Sequence, residues 1–272
     1  MARHIALAFL LSLLFCAQNI AYADFDCAQN IAYADDCAQN NAYADLDFDF
    51  YYLVLKWPGS YCKDCTVNGC CMPTTFTNYP LEEDFLIKGL YTYSDSGQAV
   101  TKCNTTKFYV NALRNLIGDL YVHWPSIKCP SNNGVSQWRD AWTNYGVCSG
   151  LSEEDYFDKA LKLRKKINLL SVLKGHGVLP SDFLFYSPLY VETAIKVGLG
   201  ADVGIKCSTN ESGKCQIDEI YVCVDKTASK VINCPVLPKF ICGQIAYLPT
   251  FSNSMLKDTS SCFDPHQMVT CE

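Results

Sequence analysis

The stretch QWRDAWTNYGVCSG, residues 137–150, sets Trp138, Trp142, Gly146 and Cys148 in a W-x-x-x-W-x-x-x-G-x-C pattern. Two indoles, a glycine and a cysteine are residues that build a frame. The positions between them carry Asp140, Ala141, Asn144 and Tyr145, so the stretch reads as an active-site frame whose chemical groups have been exchanged.

The rest of the 272-residue chain bounds what that frame belongs to. A hydrophobic content of 49% with 13% aromatic residues is enough for the core of one large domain or two small ones. The first residues, MARHIALAFLLSLLFCAQNIAYA, have a basic start, an apolar run and a small-x-small ending, which predicts a secretory leader over 1–23. No later segment approaches the apolar length of a membrane span, so no membrane partner is expected. Of the 17 cysteines only Cys16 lies in the leader, and in an oxidising compartment the others predict disulfides. Cys62-x-x-Cys65 has no second pair to complete a zinc site, and His4, His123, His176 and His266 are scattered, so neither a metal nor a cofactor is expected. Removing Arg3 with the leader leaves 21 basic against 28 acidic residues, a balance that repels polyanions overall while permitting a local basic groove.

After the leader the chain repeats itself: CAQNIAYADFD (16–26), CAQNIAYADD (27–36) and CAQNNAYADLD (37–47). The unit is far shorter than a solenoid repeat and too poor in apolar surface to pack, so 24–45 is expected to be disordered. Strands are predicted at 49–57, 84–91 and 213–225, with 230–235 pairing back on the last across a turn. Helices are predicted over 105–124, from Ser152 through Lys174, and from Pro188 to about Val197. Mixed helices and mostly non-alternating strands indicate an α+β domain over 46–252 followed by a tail, 253–272.

The ordered series YYLVLKWPGSYC, Cys70-Cys71-Met-Pro, DFLIKGLY, HWPS, the Trp-Trp-Gly-Cys frame and QIDEIYVCVD…INCP…CG resembles the ribonuclease T2 family of plants, over about 47–252. The resemblance implies a central antiparallel sheet flanked by helices. It also implies the disulfides Cys62–Cys70, Cys71–Cys129, Cys103–Cys148, Cys207–Cys242 and Cys223–Cys234, which spacing alone could not select. Cys27, Cys37, Cys65, Cys215, Cys262 and Cys271 fall outside that set, with Cys262–Cys271 one pairing for the tail. Asn104-Thr-Thr and Asn210-Glu-Ser are N-glycosylation sequons.

The family's reaction, attack of a ribose 2′-hydroxyl on the adjacent phosphorus, needs a base, an acid and charge at the phosphorane. The resemblance puts those groups, two histidines, a Glu, a Lys and a further His, at Lys88, Asp140, Ala141, Asn144 and Tyr145. Lys56 and Tyr91 likewise replace a Gln and a Trp of the nucleotide surface. With reference pKa values of about 10.4 and about 3.9, Lys88 and Asp140 are both charged at working pH, and losing an acid and a base removes about 10⁴-fold in rate or more. The expectation is a structural Lys88–Asp140 ion pair plugging the old cleft. His123, His176 and the basic run 162–166 read as structural or solvated groups.

The resulting expectation is a catalytically inactive member of the family, secreted or vacuolar, serving as a plant vegetative storage protein. The alternatives are a pseudoenzyme that weakly holds a nucleotide, an RNA or a protein, and a residual endoribonuclease.

Overall fold

The computed structural model describes residues 48–64, 69–130 and 132–258. The expected leader, the repeat, most of the tail and Cys27, Cys37, Cys65, Cys262 and Cys271 lie outside the described residues. Within them the order is β1 (Phe50–Lys56), α1 (Pro58–Lys63), β2 (Cys70–Cys71), β3 (Leu86–Tyr93), α2 (Ile117–His123), α3 (Val135–Asn144), α4 (Glu153–Ile167), α5 (Leu169–Gly175), α6 (Pro188–Leu199), β4 (Val203–Thr209), β5 (Cys215–Asp225) and β6 (Leu256–Lys257). Strands β3, β1, β5 and β4 lie in that order in one antiparallel sheet, and β2 pairs with β6 in parallel. No helix among the described residues is long and apolar enough to cross a membrane.

β1 is central and nearly all of it is buried, which is why its sequence does not alternate. Phe50, Tyr52 and Val54 share one face with Cys223, Tyr91, Tyr93 and Tyr221. The helical layer is tied to the sheet by the Tyr156 hydroxyl of α4, which donates to the Leu90 carbonyl of β3 at 2.5 Å. Trp142 and Phe157 both pack on Tyr156, at centroid separations of 5.8 and 5.1 Å, so an aromatic stack joins α3 to α4. Cystines join Cys62–Cys70, Cys71–Cys129, Cys103–Cys148, Cys207–Cys242 and Cys223–Cys234, and among the described residues Cys215 has no disulfide partner.

Several elements depart from the sequence expectation. Of 105–124 only Val110–Leu113 (a 3₁₀ turn) and α2 are helical, because the segment before them is held by tertiary bonds. The Tyr109 amide donates to both carboxylate oxygens of Glu153, at 3.2 and 3.0 Å, and Asn104 Nδ2 donates to the Val147 carbonyl at 2.8 Å. The long helix breaks at Asn168, whose φ of 42° puts it in the left-handed region that asparagine tolerates. The segment 230–235 does pair back on β5 across a turn, through the antiparallel bridge Val224↔Val231 and the Asp225 and Ile232 amides, which donate to the Lys230 and Cys223 carbonyls at 2.9 Å; the unexpected neighbour of β5 is β4, which the alternation did not reveal. The folded body also runs past 252, since Leu256–Lys257 closes on Cys70–Cys71.

The Trp-Trp-Gly-Cys frame is α3 and the 3₁₀ turn after it. Trp138 and Trp142 are buried, and Trp138 Nε1 donates to the Trp124 carbonyl at 2.7 Å. A Cβ on Gly146 would lie 3.0 Å from Trp142 Cζ3 and closer still to Cε3. Gly146→Ala is therefore expected to destabilise the fold by about 1–3 kcal/mol in urea denaturation, through displacement of a ring that cannot move far.

Candidate functional site

Two irregularities in the sheet build the site. Between Val54 and Leu55 the β1–β3 register skips Lys88, and between Lys206 and Cys207 the β4–β5 register skips Asp218. Bulges of this kind re-aim the extra side chain. Across the same face Lys56 of β1, Glu219 of β5 and Lys206 of β4 sit directly opposite one another, a cross-strand row of alternating charge. The bulged Lys88 joins this row from β3.

Glu219 is the centre of the cluster. Its side chain is 4% exposed and accepts from Lys88 Nζ at 2.7 Å, Lys206 Nζ at 3.1 Å and the Tyr221 hydroxyl at 2.9 Å. Burial pushes its carboxyl up, but the two ammonium groups outweigh that and hold it below the usual glutamate value. Asp218 has the opposite fate: burial and the Glu219 charge push it up to about 6, against the pull of Lys206, Lys56 and Lys88. Lys56 lies 4.0 Å from the centroid of the Tyr61 ring, and burial, helped by Lys88 and Lys206 and opposed by Asp218 and Glu219, lowers it to about 8.

In front of this cluster lies an open cleft of about 280 Å³. One stripe of α3, Gln137, Asp140, Ala141 and Asn144, forms a wall at helical spacing, and Lys56, Tyr61, Ile87, Lys88, Tyr91, Lys128 and Tyr145 complete the lining. All five positions singled out as former chemical groups, Lys88, Asp140, Ala141, Asn144 and Tyr145, thus meet in one place. The Tyr91 and Tyr145 rings pack at 4.5 Å, and burial raises both phenols, so they are neutral donors and acceptors.

The expected Lys88–Asp140 plug is not formed. Lys88 turns to Glu219, because a buried carboxylate must be paired while one at the surface need not be. Asp140 is exposed, and among the described residues it has no ion pair within 4.0 Å. His123 lies 3.6 Å from Glu82 and its imidazole is held below the ordinary value by burial and Arg164, while His176 Nδ1 meets the Val172 carbonyl at 2.9 Å. Neither lines the cleft. Asn104 is exposed and Asn210 half-buried, its Nδ2 donating to the Tyr247 hydroxyl at 2.8 Å. Asp218, Glu219, Lys206, Lys128, Gln137 and Tyr61 were not singled out in the sequence. Adjacent carboxylates inside the apolar strand QIDEIYVCVD were the signal for the first two.

The model of the ribonuclease T2 family matches residues 48–234. This chain belongs to the ribonuclease T2 family. It is 40% identical over 208 residues to ribonuclease 3 of Arabidopsis thaliana, covering 75% of this chain and 91% of that one. It is 31% identical over 193 residues to a ribonuclease-like storage protein of Panax ginseng, covering 70% and 77%. Among solved structures it is similar to RNase NT in complex with 5′-AMP, with a TM-score of 0.70, 38% identity, and coverage of 75% of this chain and all of the other.

Within this T2 fold Glu219 holds three strands together at the cleft. Glu219→Gln leaves Lys88 without its anion and Lys206 with only Asp218, 4.0 Å away, and is expected to cost about 2–3 kcal/mol in thermal or urea unfolding. The figure sits below that for a fully buried pair because both lysine side chains reach solvent, at 38% and 36% exposure. The loss should be largest near neutral pH and shrink as acid protonates Glu219 in the wild type, since a depressed carboxyl contributes stability that falls away through its folded pKa.

Proposed function

We propose that this protein is a member of the T2 family that does not cleave RNA and that it accumulates as a storage protein of the plant secretory pathway, vacuolar or extracellular. The observation that carries this reading is the cleft lining, which among the described residues contains no histidine and includes Lys88 and Asp140, the positions at which the resemblance expects the acid–base pair. The Lys88 ammonium is committed to Glu219 at 2.7 Å rather than left free to meet a substrate as acid or base. The ginseng storage protein supports a fold of this family kept for its amino acids. Asn104 and Asn210 are proposed as its glycan sites.

A second reading is favoured by the open cleft itself. Lys56, Lys88 and Lys128, with the neutral phenols Tyr91 and Tyr145, suit a nucleotide phosphate and base held without turnover. RNase NT, which binds 5′-AMP, has the same fold and supports this reading.

The test is RNA hydrolysis from pH 4 to 8 by the wild type and by a Lys88→His/Asp140→His variant. The wild type is expected to stay at background, about 10⁴-fold or more below an intact acid–base pair. Cleavage by the wild type that disappears in Lys56→Met would overturn the reading and assign proton transfer to Lys56, the cleft group whose affinity for a proton is lowered towards neutrality.

A further inference from the structure

Asp218 takes no part in either reading, yet it stands behind the cleft. Its side chain is 10% exposed, and its nearest ion-pair partner, Lys206 Nζ, is 4.0 Å away. The charged and titratable groups that face it come from every neighbouring element: Glu219 beside it on β5, Lys206 on β4, Lys56 on β1, Lys88 on β3 and the Tyr61 phenol on α1. Taken with Lys128 and Asp140 of the cleft wall, the groups are four lysines against three carboxylates, a margin of a single positive charge.

We propose that Asp218 makes the cleft a pH-dependent anion site, which takes a phosphodiester more tightly as the medium turns mildly acidic. The inference rests on the second reading above, in which the cleft holds a nucleotide phosphate. The bulge that leaves Asp218 out of the β4–β5 pairing sets two successive carboxylates against the same lysine, and one of them must be the less well compensated. Glu219 takes the short contacts, so Asp218 is the one that gives up its charge first. Between pH 7 and pH 5 Asp218 passes through its value of about 6, Glu219 stays ionised, Lys56 stays protonated and the phenols stay neutral. The margin of positive charge doubles, and linkage requires that a bound anion in turn makes Asp218 easier to protonate.

The probe is the deoxythymidine dinucleotide dTpdT, which has one phosphodiester charge throughout this range and no 2′-hydroxyl to react. Titration by calorimetry is expected to give an affinity about 3–10-fold higher at pH 5 than at pH 7, the size of one charge acting across several ångströms of partly screened protein. Asp218→Asn, which imitates the protonated carboxyl, should bind at pH 7 as the wild type does at pH 5 and lose the pH dependence. In the wild type the ¹³C titration midpoint of the Asp218 carboxyl should rise when dTpdT is added, a readout that needs no variant to fold. Binding of equal strength at both pH values, a midpoint unmoved by the ligand, or a pH dependence that survives in Asp218→Asn and vanishes in Asp140→Asn, would overturn the role of Asp218 while leaving the anion site standing. No binding at either pH would remove the nucleotide-holding reading and the inference together.

Discussion

The carboxylate of Glu219, buried between the ammonium groups of Lys88 and Lys206, joins β3, β5 and β4 at the edge of the cleft. Burying one charge costs several kcal/mol unless opposite charges and hydrogen bonds meet it, and here two cations and a phenol do so. The arrangement depends on the bulge at Lys88, which turns an extra side chain toward Glu219. Much of what the cleft can do follows from that commitment. Lys88 lines the cavity with its ammonium group tied to Glu219.

The helix α3 supplies the opposite wall on a separate logic. Its buried stripe, Trp138, Ala141 and Trp142, locks it into the aromatic layer, while the stripe Gln137, Asp140, Ala141 and Asn144 faces the cleft. Packing constrains the first stripe tightly, because an added Cβ at Gly146 already collides with an indole. Little in the packing constrains the exposed Asp140. A frame can therefore persist while the groups it displays are exchanged.

The contrast explains what was legible in the sequence. The strands at 50–56, 86–93 and 215–225 announce themselves through dense β-branched and aromatic residues, and the frame through its tryptophans, because both reflect burial. The resemblance supplied the family and the set of cleft positions, and spacing supplied neither. What stayed hidden depends on register. Nothing in the linear chain says that Lys88 sits on a bulge within reach of Glu219, 131 residues away, rather than facing Asp140. Likewise the break at Asn168 and the non-helical 105–109 arise from a single left-handed residue and from bonds to Glu153, which periodicity does not encode.

The central claim is that the cleft does not transfer a phosphodiester. The most direct measurement is ³¹P NMR of uridylyl-adenosine mixed with an equal amount of the protein at pH 5.5. The expected spectrum shows the diester resonance unchanged in area over days. Growth of a 2′,3′-cyclic phosphate resonance that scales with protein concentration would contradict the claim, since it would show that the 2′-hydroxyl is being activated in a cleft lined by no histidine among the described residues.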